Sequence, residues 1–401
     1  MNKNIKLAVA GAVLALSASA NAGIIIPAGD WTVDIGGNVN TFYTHTKYSG
    51  TQAGTKTNTL QTGLLPTALG IGAKTRQNDL DVAFQFSLFT GVNSNGDDSL
   101  NATGSTVDSE SMTVAGKRSG GLGYNSLNIR QAYLSFGDKS WGTILMGRNL
   151  GTFGSDAILS DMTLLGVGSN GGVTGSSTLG RIGSGYLYAD WLAQVAYTTP
   201  NFNGLEATVS VHETLASQDN NELGYSGKAS YSFAANDATG KVWVEGTTRK
   251  IQANGVGTLT ERDSEAYGLG AKVGMAGAEL VGYYYNGKNI DGGAGVAPGF
   301  ATYSGTTANI DNNGGYVQAT YILPTKTKVG VSWGKNVIEK ITTGTDNERE
   351  AWIVGAYHPI TKHLNLVAEY NHLETTGTAA APYGGGEGKA KTMSLGAILF
   401  F

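Results

Sequence analysis

Apolar and polar residues alternate along most of this chain with a period of two. In DVAFQFSLF, residues 81–89, Val82, Phe84, Phe86 and Leu88 fall on one side, and Asp81, Ala83, Gln85 and Ser87 on the other. LEATVSVH sets Leu205, Ala207, Val209 and Val211 against Glu206, Thr208, Ser210 and His212. YSGKASYSF opposes Tyr225, Ala229, Tyr231 and Phe233 to Ser226, Lys228, Ser230 and Ser232, and TKVGVSW follows the same rule. Such a period marks strands with one apolar and one polar face. Strands buried on both faces would read as continuous apolar runs.

From Trp31 to Phe401 there are about sixteen such segments of roughly 9–14 residues, the length a tilted membrane-crossing strand needs. Their connections alternate in length. Short ones fall at 76–80, 138–140, 201–204, 235–240, 274–277, 323–326 and 358–363. Long ones fall at 44–63, 94–125, 150–185, 213–222, 253–263, 287–313, 335–348 and 373–389. The short ones carry the Asn, Asp, Gly and Pro that tight hairpins require. This rhythm predicts an up-and-down barrel with both termini at the short-turn end. A soluble β-sandwich also alternates, but its strands average about five or six residues. The expected fold is therefore all-β: a 16-stranded antiparallel transmembrane β-barrel with short periplasmic turns, long extracellular loops and an inward-folded third loop.

The end of the chain fits a last barrel strand. In TMSLGAILFF, Met393, Leu395, Ala397, Leu399 and Phe401 alternate outward. A terminal aromatic after such alternation resembles the signal that outer-membrane barrels present to their insertion machinery. Trp31, Trp141, Tyr197 and Trp333 lie near strand ends, where interfacial girdle residues belong.

Composition narrows the compartment. The opening MNKNIKLAVAGAVLALSASANA has Lys3 and Lys6, an apolar run Leu7–Leu16, and small residues ending at Ala22. It reads as a secretory signal over residues 1–22, leaving residues 23–401 as the barrel. The apolar run is too short to span a bilayer, and no later run approaches the length of a membrane helix. Without Lys3 and Lys6 the remaining 25 basic and 31 acidic residues give a net charge of −6, which argues against nucleic acid as a partner. The absence of Cys removes disulfides, thiolate metal sites and cysteine nucleophiles.

One segment fits neither a core helix nor an ordinary surface loop. GRNLGTFGSDAILSDMTLLGVG, residues 147–168, sets Asp156 and Asp161 among Ile, Leu, Met and Phe and forms the third long loop, after the fifth strand. A barrel of about sixteen strands encloses a wet lumen that wall side chains cannot fill. A loop folded into it meets polar wall with one face. Asp156 and Asp161 would project toward the channel while Ile158, Leu159, Met162, Leu164 and Leu165 anchor the loop. Alternatively, the two acids tie the loop to the wall by hydrogen bonds.

LNIRQAYLSFGDKSWGTILMGRN, the third loop with DMTLLGVG, YTTPNFNGL and the terminal Phe401 together resemble the Gram-negative general porins, particularly the neisserial and betaproteobacterial type. The likeness spans essentially the whole chain after residue 22. It implies a sixteen-stranded barrel in the outer membrane, a homotrimer, passive diffusion of ions and small hydrophilic solutes, no cofactor, and a third loop facing a cluster of wall arginines. Arg130 in IRQAY matches one wall arginine, and Arg148 in GRN a second. Asp156 and Asp161 lie in the loop that carries the constriction acids. Two departures thin the basic ladder: Ala196 in VAYTTP and Leu69 in LGIGAK stand where relatives have arginine. Lys74 and Arg76 lie nearby on the expected lumen face.

Other chemistry is sparse. GVGSNG, residues 166–171, matches G-x-G-x-x-G but lacks the strand-to-helix setting of a nucleotide site. There is no HExxH, GxSxG or P-loop, and acid-rich NGDDS reads as a solvated loop. His45, His212 and His372 fall near long-loop ends, where a barrel enzyme would carry a catalytic histidine. Alternatives to a general diffusion channel are a substrate-preferring channel of the same architecture and a non-channel surface barrel such as an enzyme or adhesin.

Overall fold

The computed structural model describes residues 23–50, 56–92, 128–169, 178–213, 222–255, 258–290, 310–339, 346–377 and 387–401. The signal-like residues 1–22, the NGDDS stretch, and Asn170 and Gly171 of GVGSNG lie outside the described residues. Within them are eighteen strands: β1 (Ile24–Ala28), β2 (Trp31–Gly50), β3 (Lys56–Gln61), β4 (Thr67–Gln77), β5 (Leu80–Thr90), β6 (Asn128–Asp138), β7 (Gly142–Leu150), β8 (Trp191–Thr198), β9 (Leu205–His212), β10 (Gly224–Ala235), β11 (Ala238–Gly255), β12 (Thr258–Met275), β13 (Ala278–Lys288), β14 (Asp311–Ile322), β15 (Lys328–Ile338), β16 (Asn347–Pro359), β17 (Leu364–Thr376) and β18 (Gly388–Phe400).

Sixteen of these, β2 and β4–β18, close an antiparallel barrel. Closure runs through β18 and β2, from Gly388↔Gly50 to Phe400↔Asn38. Gly37 N–H then donates to the Phe401 carbonyl at 2.9 Å, and Phe401 N–H to the Gly37 carbonyl at 3.1 Å. The two short strands complete the edges of the long β2. Strand β1 pairs with its first residues, from Ala28↔Trp31 to Ile24↔Ile35, where β18 has ended. Strand β3 pairs with Phe42–Lys47, beyond the reach of β4. No edge of β2 is left as a free template along these stretches.

The alternation in the sequence is the alternation of barrel faces. Phe86 is 52 % exposed on the outside, whereas the next residue, Ser87, is fully buried. Leu205, Val209, Tyr225, Tyr231 and Val331 are exposed on the same outer surface. Apolar side chains outside and Ser, Thr, Asn and Gln inside are what a lipid-facing barrel requires. Trp141 and Tyr197 are both exposed, and the Tyr197 hydroxyl donates to the Trp141 carbonyl at 2.5 Å. At the short turns Asn78 and Asp79 (φ 50° and 61°) and Asn203 and Gly204 (φ 53° and 103°) adopt the left-handed backbone of primed hairpin turns.

Two expected long loops are instead extended hairpins. Strand β2 continues to Gly50 and β3 begins at Lys56. Strands β11 and β12 stay paired as far as Gly255↔Thr258. In β2 and β3 the outward positions turn polar here, at His45, Lys47, Lys56 and Asn58, so hydropathy loses its period while pairing goes on.

The buried apolar cluster inside the barrel forms between the third loop and the wall. The largest fully buried side chains include Arg181, Tyr186, Tyr285, Tyr316, Phe42 and Phe89, where the third loop meets the inner wall. Helix in the described residues is confined to that loop: α1 (Ser155–Leu159) and a 3-10 turn, Met162–Leu165.

Candidate functional site

The third loop leaves β7 and returns to β8 through a closed neck, where Gly151 N–H donates to the Asp190 carbonyl at 2.7 Å. Beyond the neck it crosses to the far wall. The Tyr316 hydroxyl donates to the Ala157 carbonyl at 2.8 Å. Gln318 accepts from Met162 N–H at 2.8 Å and donates to the Ser160 carbonyl at 3.0 Å. Asn336 accepts from Gly185 N–H at 2.7 Å. Glu369 accepts from Val167 and Gly168 N–H at 2.8 and 2.7 Å. These wall residues belong to β14, β15 and β17, opposite the loop's root in the ring of strands. Loop backbone groups taken out of water thus keep partners.

Arg181 is the loop's main strut. It is fully buried, and its guanidinium donates to Ser332 Oγ, to the Ser184 carbonyl (3.0 Å) and to the Ala351 carbonyl (3.2 Å). Burial lowers its pKa to about 10 against the attraction of Asp161, so it stays charged at neutral pH.

Asp156 and Asp161 are both buried and both engaged. Asp156 sits in the first turn of α1 and forms ion pairs with Lys228 of β10 (2.8 Å) and Lys241 of β11. Lys228 also donates to Ser155 Oγ at 2.9 Å. Burial raises the Asp156 carboxyl, but the two lysines outweigh it and hold it below the usual carboxylate range. Asp161 braces the loop from within, accepting from Thr163 N–H (2.9 Å), the Tyr186 hydroxyl (2.8 Å) and Arg181 N–H (3.2 Å). Neither acid faces a wall arginine across open space. Asp156 ties the loop to the wall, whereas the hydrogen bonds of Asp161 stay within the loop.

The arginines gather at the loop's neck. Asp190 is buried there, and its carboxylate accepts from Trp191 N–H at 2.6 Å. Burial raises its pKa to about 6, while Arg148, Arg249 and Arg130 pull the other way. Arg130 points inward because β6 carries a bulge: Ser87 pairs with Gln131 but Leu88 with Ile129, leaving Arg130 as the extra residue. Its guanidinium lies 4.9 Å from the centre of the Phe89 ring. Arg148 follows Gly147, whose φ of 124° breaks the regular strand path.

Lys74 and Arg76 are not brought to this level. Leu88 pairs with Leu69, so Arg130 is level with Leu69 and Gly70 of β4. Lys74 then lies about 15 Å, and Arg76 about 20 Å, further along β4 toward the short turn. Arg76 is held there by Asp81 (2.9 Å), Asp138 (2.9 Å) and Asp79 (3.7 Å).

Beside Arg130 the loop presents hydrocarbon. A narrow cavity of about 40 Å³ lies between Ile158, Leu159 and Leu164 of the loop and Leu65, Phe89 and Arg130 of the wall. Lys228, Lys241, Arg249, Arg181, Asp190 and Glu369 are the residues that sequence reasoning missed. Strand parity alone puts Lys228, Lys241 and Arg249 on the lumen face. Nothing local marks Arg181.

Residues 7–378 match the family model described as Gram-negative porin. No curated protein sequence matches the chain. Among solved structures, the fold is similar to the anion-selective porin from Comamonas acidovorans, with 16% identity, 92% of this chain and 100% of that chain covered, and a TM-score of 0.61. It is similar to the outer membrane channel DcaP of Acinetobacter baumannii, with 15% identity, coverage of 95% and 100%, and a TM-score of 0.62. It is also similar to the trimer form of OmpT from Vibrio cholerae, with 15% identity, coverage of 92% and 99%, and a TM-score of 0.57.

Proposed function

The chain belongs to the Gram-negative porin family and is an outer-membrane β-barrel channel; from that premise we propose that it passes ions and small hydrophilic solutes passively, with a preference for anions set at the neck of its third loop. The observation that carries this is the gathering of Arg130, Arg148 and Arg249 around the single acid Asp190. Asp156 is paired with Lys228 and Lys241, and Asp161 lies beside the Arg181 charge, so both loop acids have cations of their own apart from the neck arginines. A positive excess in a confined wet passage raises the local anion concentration.

The remaining parts of the reading follow the family. Residues 1–22 serve as an export signal, the barrel assembles as a homotrimer, and Phe401 presents the terminal strand to the insertion machinery. The trimer form of the Vibrio cholerae relative supports the assembly.

The apolar lining beside Arg130 favours a second reading, in which solutes carrying both an anionic and an apolar group are retained. Single-channel recording in planar bilayers tests both. A reversal potential of anion-preferring sign and a current linear in salt support general diffusion. Saturation or block by one solute class supports retention. A protein that inserts without conductance defeats both.

A further inference from the structure

A second segment of chain enters the lumen beside the third loop. On β2, Asn38 pairs with Ala68 and Phe42 with Gln61. Val39, Asn40 and Thr41 of β2 therefore stand opposite the longer stretch 62–67 of the returning chain, and the surplus is pushed inward as an enlarged bulge. Val39 points outward and is 49 % exposed, whereas Asn38 and Asn40, which flank it, are buried on the inner face. That inner face holds the segment. The Asn38 side-chain amide donates to the Pro66 carbonyl at 3.1 Å and that of Asn40 to the Leu65 carbonyl at 2.8 Å. Gly63 N–H donates to Asn40 Oδ1 at 2.9 Å.

The segment is also jointed to the third loop. Leu64 N–H donates to the Gly166 carbonyl at 2.8 Å, and Thr178 N–H to the Gly63 carbonyl at 3.2 Å. The joint needs glycine on both sides. A Cβ on Gly63 would overlap the Gly166 oxygen, and one on Gly180 would overlap the Leu64 side chain. Leu64 thus seats the joint, and Leu65 is the next residue.

Leu64, Leu65 and Pro66 line the narrow cavity beside Arg130. Arg130 is level with Leu69 and Gly70 of β4, so the segment stands on its long-loop side. An anion arriving from that side meets hydrocarbon from Leu64 and Leu65 and, across from them, from Ile158, Leu159 and Leu164. A space of about 40 Å³ does not admit an anion with its whole water shell. Aliphatic side chains replace none of the hydrogen bonds it gives up. Among the described residues that line the cavity, Arg130 alone is charged, and a guanidinium is itself weakly hydrated. Such a setting favours ions that part with water easily.

We propose that residues 62–66 are a second constriction segment and that Leu65 is a specificity-determining residue. It makes the approach to Arg130 an apolar collar that passes weakly hydrated anions (thiocyanate, nitrate, carboxylates with an apolar end) in preference to strongly hydrated fluoride, phosphate and sulfate. The ranking of anions rests on the anion preference proposed above. The placement of Leu65 on the ion path rests only on the channel.

The test is single-channel recording of the full protein in planar bilayers. The chain has no cysteine, so an introduced one is read without background. The anionic thiol reagent sulfonatoethyl methanethiosulfonate is expected to lower the conductance of Leu65→Cys and shift its reversal potential toward cations. It should leave the wild type unchanged, and also Leu269→Cys on the outer face, where Leu269 is 53 % exposed. A Leu65→Cys current that ignores the reagent overturns the proposal. The collar is read from bi-ionic reversal potentials of thiocyanate against fluoride. Bare fluoride is the smaller ion, so size does not mimic the result. The wild type should favour thiocyanate, Leu65→Ser should move the permeability ratio toward unity, and Leu65→Met should keep the wild-type ratio. If Leu65→Ser does not fold, the neutral hydroxyethyl methanethiosulfonate makes the same position of Leu65→Cys polar after folding, with the same expected shift. Extra noise with an unmoved ratio would mean that Leu65 only packs, and overturns the collar while the anion preference stands. A wild type that passes fluoride as readily as thiocyanate does the same. A cation-preferring wild type in a potassium chloride gradient overturns the ranking together with the reading it rests on, and the reagent block still decides whether Leu65 lines the path.

Discussion

Asp156 and Lys228 meet 2.8 Å apart, joining the only α-helix of the described residues to strand β10. With Lys241 on the next strand, the wall contributes two cations to one loop carboxylate. Removing Asp156 leaves both lysines uncompensated at the lumen. Asp156→Asn is therefore expected to move the reversal potential toward anions and to increase open-channel noise as α1 loosens. Breaking one side of a buried ion pair costs on the order of 3 kcal/mol, and less here because the lysines remain partly exposed. An unchanged reversal potential would remove Asp156 from the selectivity machinery.

Acid should release the same tie. The folded-state pKa of Asp156 is depressed, so its stabilisation is fully present above the ordinary carboxylate pKa and is lost as pH falls through the lower folded value. Channel noise should stay flat from neutral pH down through the ordinary carboxylate range and rise only in stronger acid. In Asp156→Asn the noise should no longer depend on pH in that window. Single-channel traces recorded stepwise into acid would show whether the onset lies there.

Asp161 should behave differently from Asp156, although both are loop acids in an apolar setting. Its oxygens serve Thr163, Tyr186 and Arg181 inside the loop. Asp161→Asn is expected to leave the ion preference nearly unchanged while making the loop more susceptible to protease. Arg181→Met should do the same more strongly, because Ser332 and Ala351 lose their donor and Asp161 loses its neighbouring charge. Neither change should unfold the barrel, whose strands close on themselves. A large shift in reversal potential for Asp161→Asn would contradict this division of roles.

These contrasts show where the sequence stops being informative. The strands were legible because the apolar band imposes a period of two on residues such as Phe86 and Ser87. That signal ends where the band ends, so the outer ends of β2, β11 and β12 and the whole of β3 read as loops. The third loop was legible as a location, from the odd mixture of acids and aliphatics. Its bonding was not, because Arg181 reaches Ser332 and Ala351 across the barrel, and no local spacing encodes that. Arg130 was legible by resemblance, yet its inward direction depends on a bulge that alternation cannot predict. Lys74 and Arg76 have the right parity, but parity carries no height along the barrel.

The neck should make the ion preference itself depend on pH. Asp190 is raised to about 6 by burial, so it loses its charge as pH falls through that value. Its raised pKa means that the folded state gains stability on acidification over this interval, the reverse of Asp156. Neutralising it leaves Arg130, Arg148 and Arg249 unopposed, and anion preference should increase between pH 7.5 and pH 5, a window chosen about one unit or more either side of that value. Asp190→Asn should show the acid-form preference throughout. A reversal potential independent of pH in the wild type would mean that Asp190 does not sense the pore.

Arg130 is where the two readings of the pore divide. It is the wall arginine beside the apolar cavity, with Phe89 under its guanidinium and Ile158, Leu159 and Leu164 across from it. Arg130→Ser removes a charge and a large planar group, so the channel should shift toward cations and its conductance should rise. Arg130→Lys keeps the charge but loses the flat stacking surface and the forked donors. If Arg130 acts only through its field, the lysine variant should keep the wild-type reversal potential and the wild-type response to every solute. If it also holds the anionic group of a solute whose apolar part rests against Phe89 and the loop's aliphatic side chains, the lysine variant should keep the reversal potential but lose block by aromatic carboxylates. Titrating benzoate against chloride current in the two variants separates these outcomes. Wild-type behaviour in Arg130→Ser, in both reversal potential and conductance, would move the selectivity element away from the neck of the third loop.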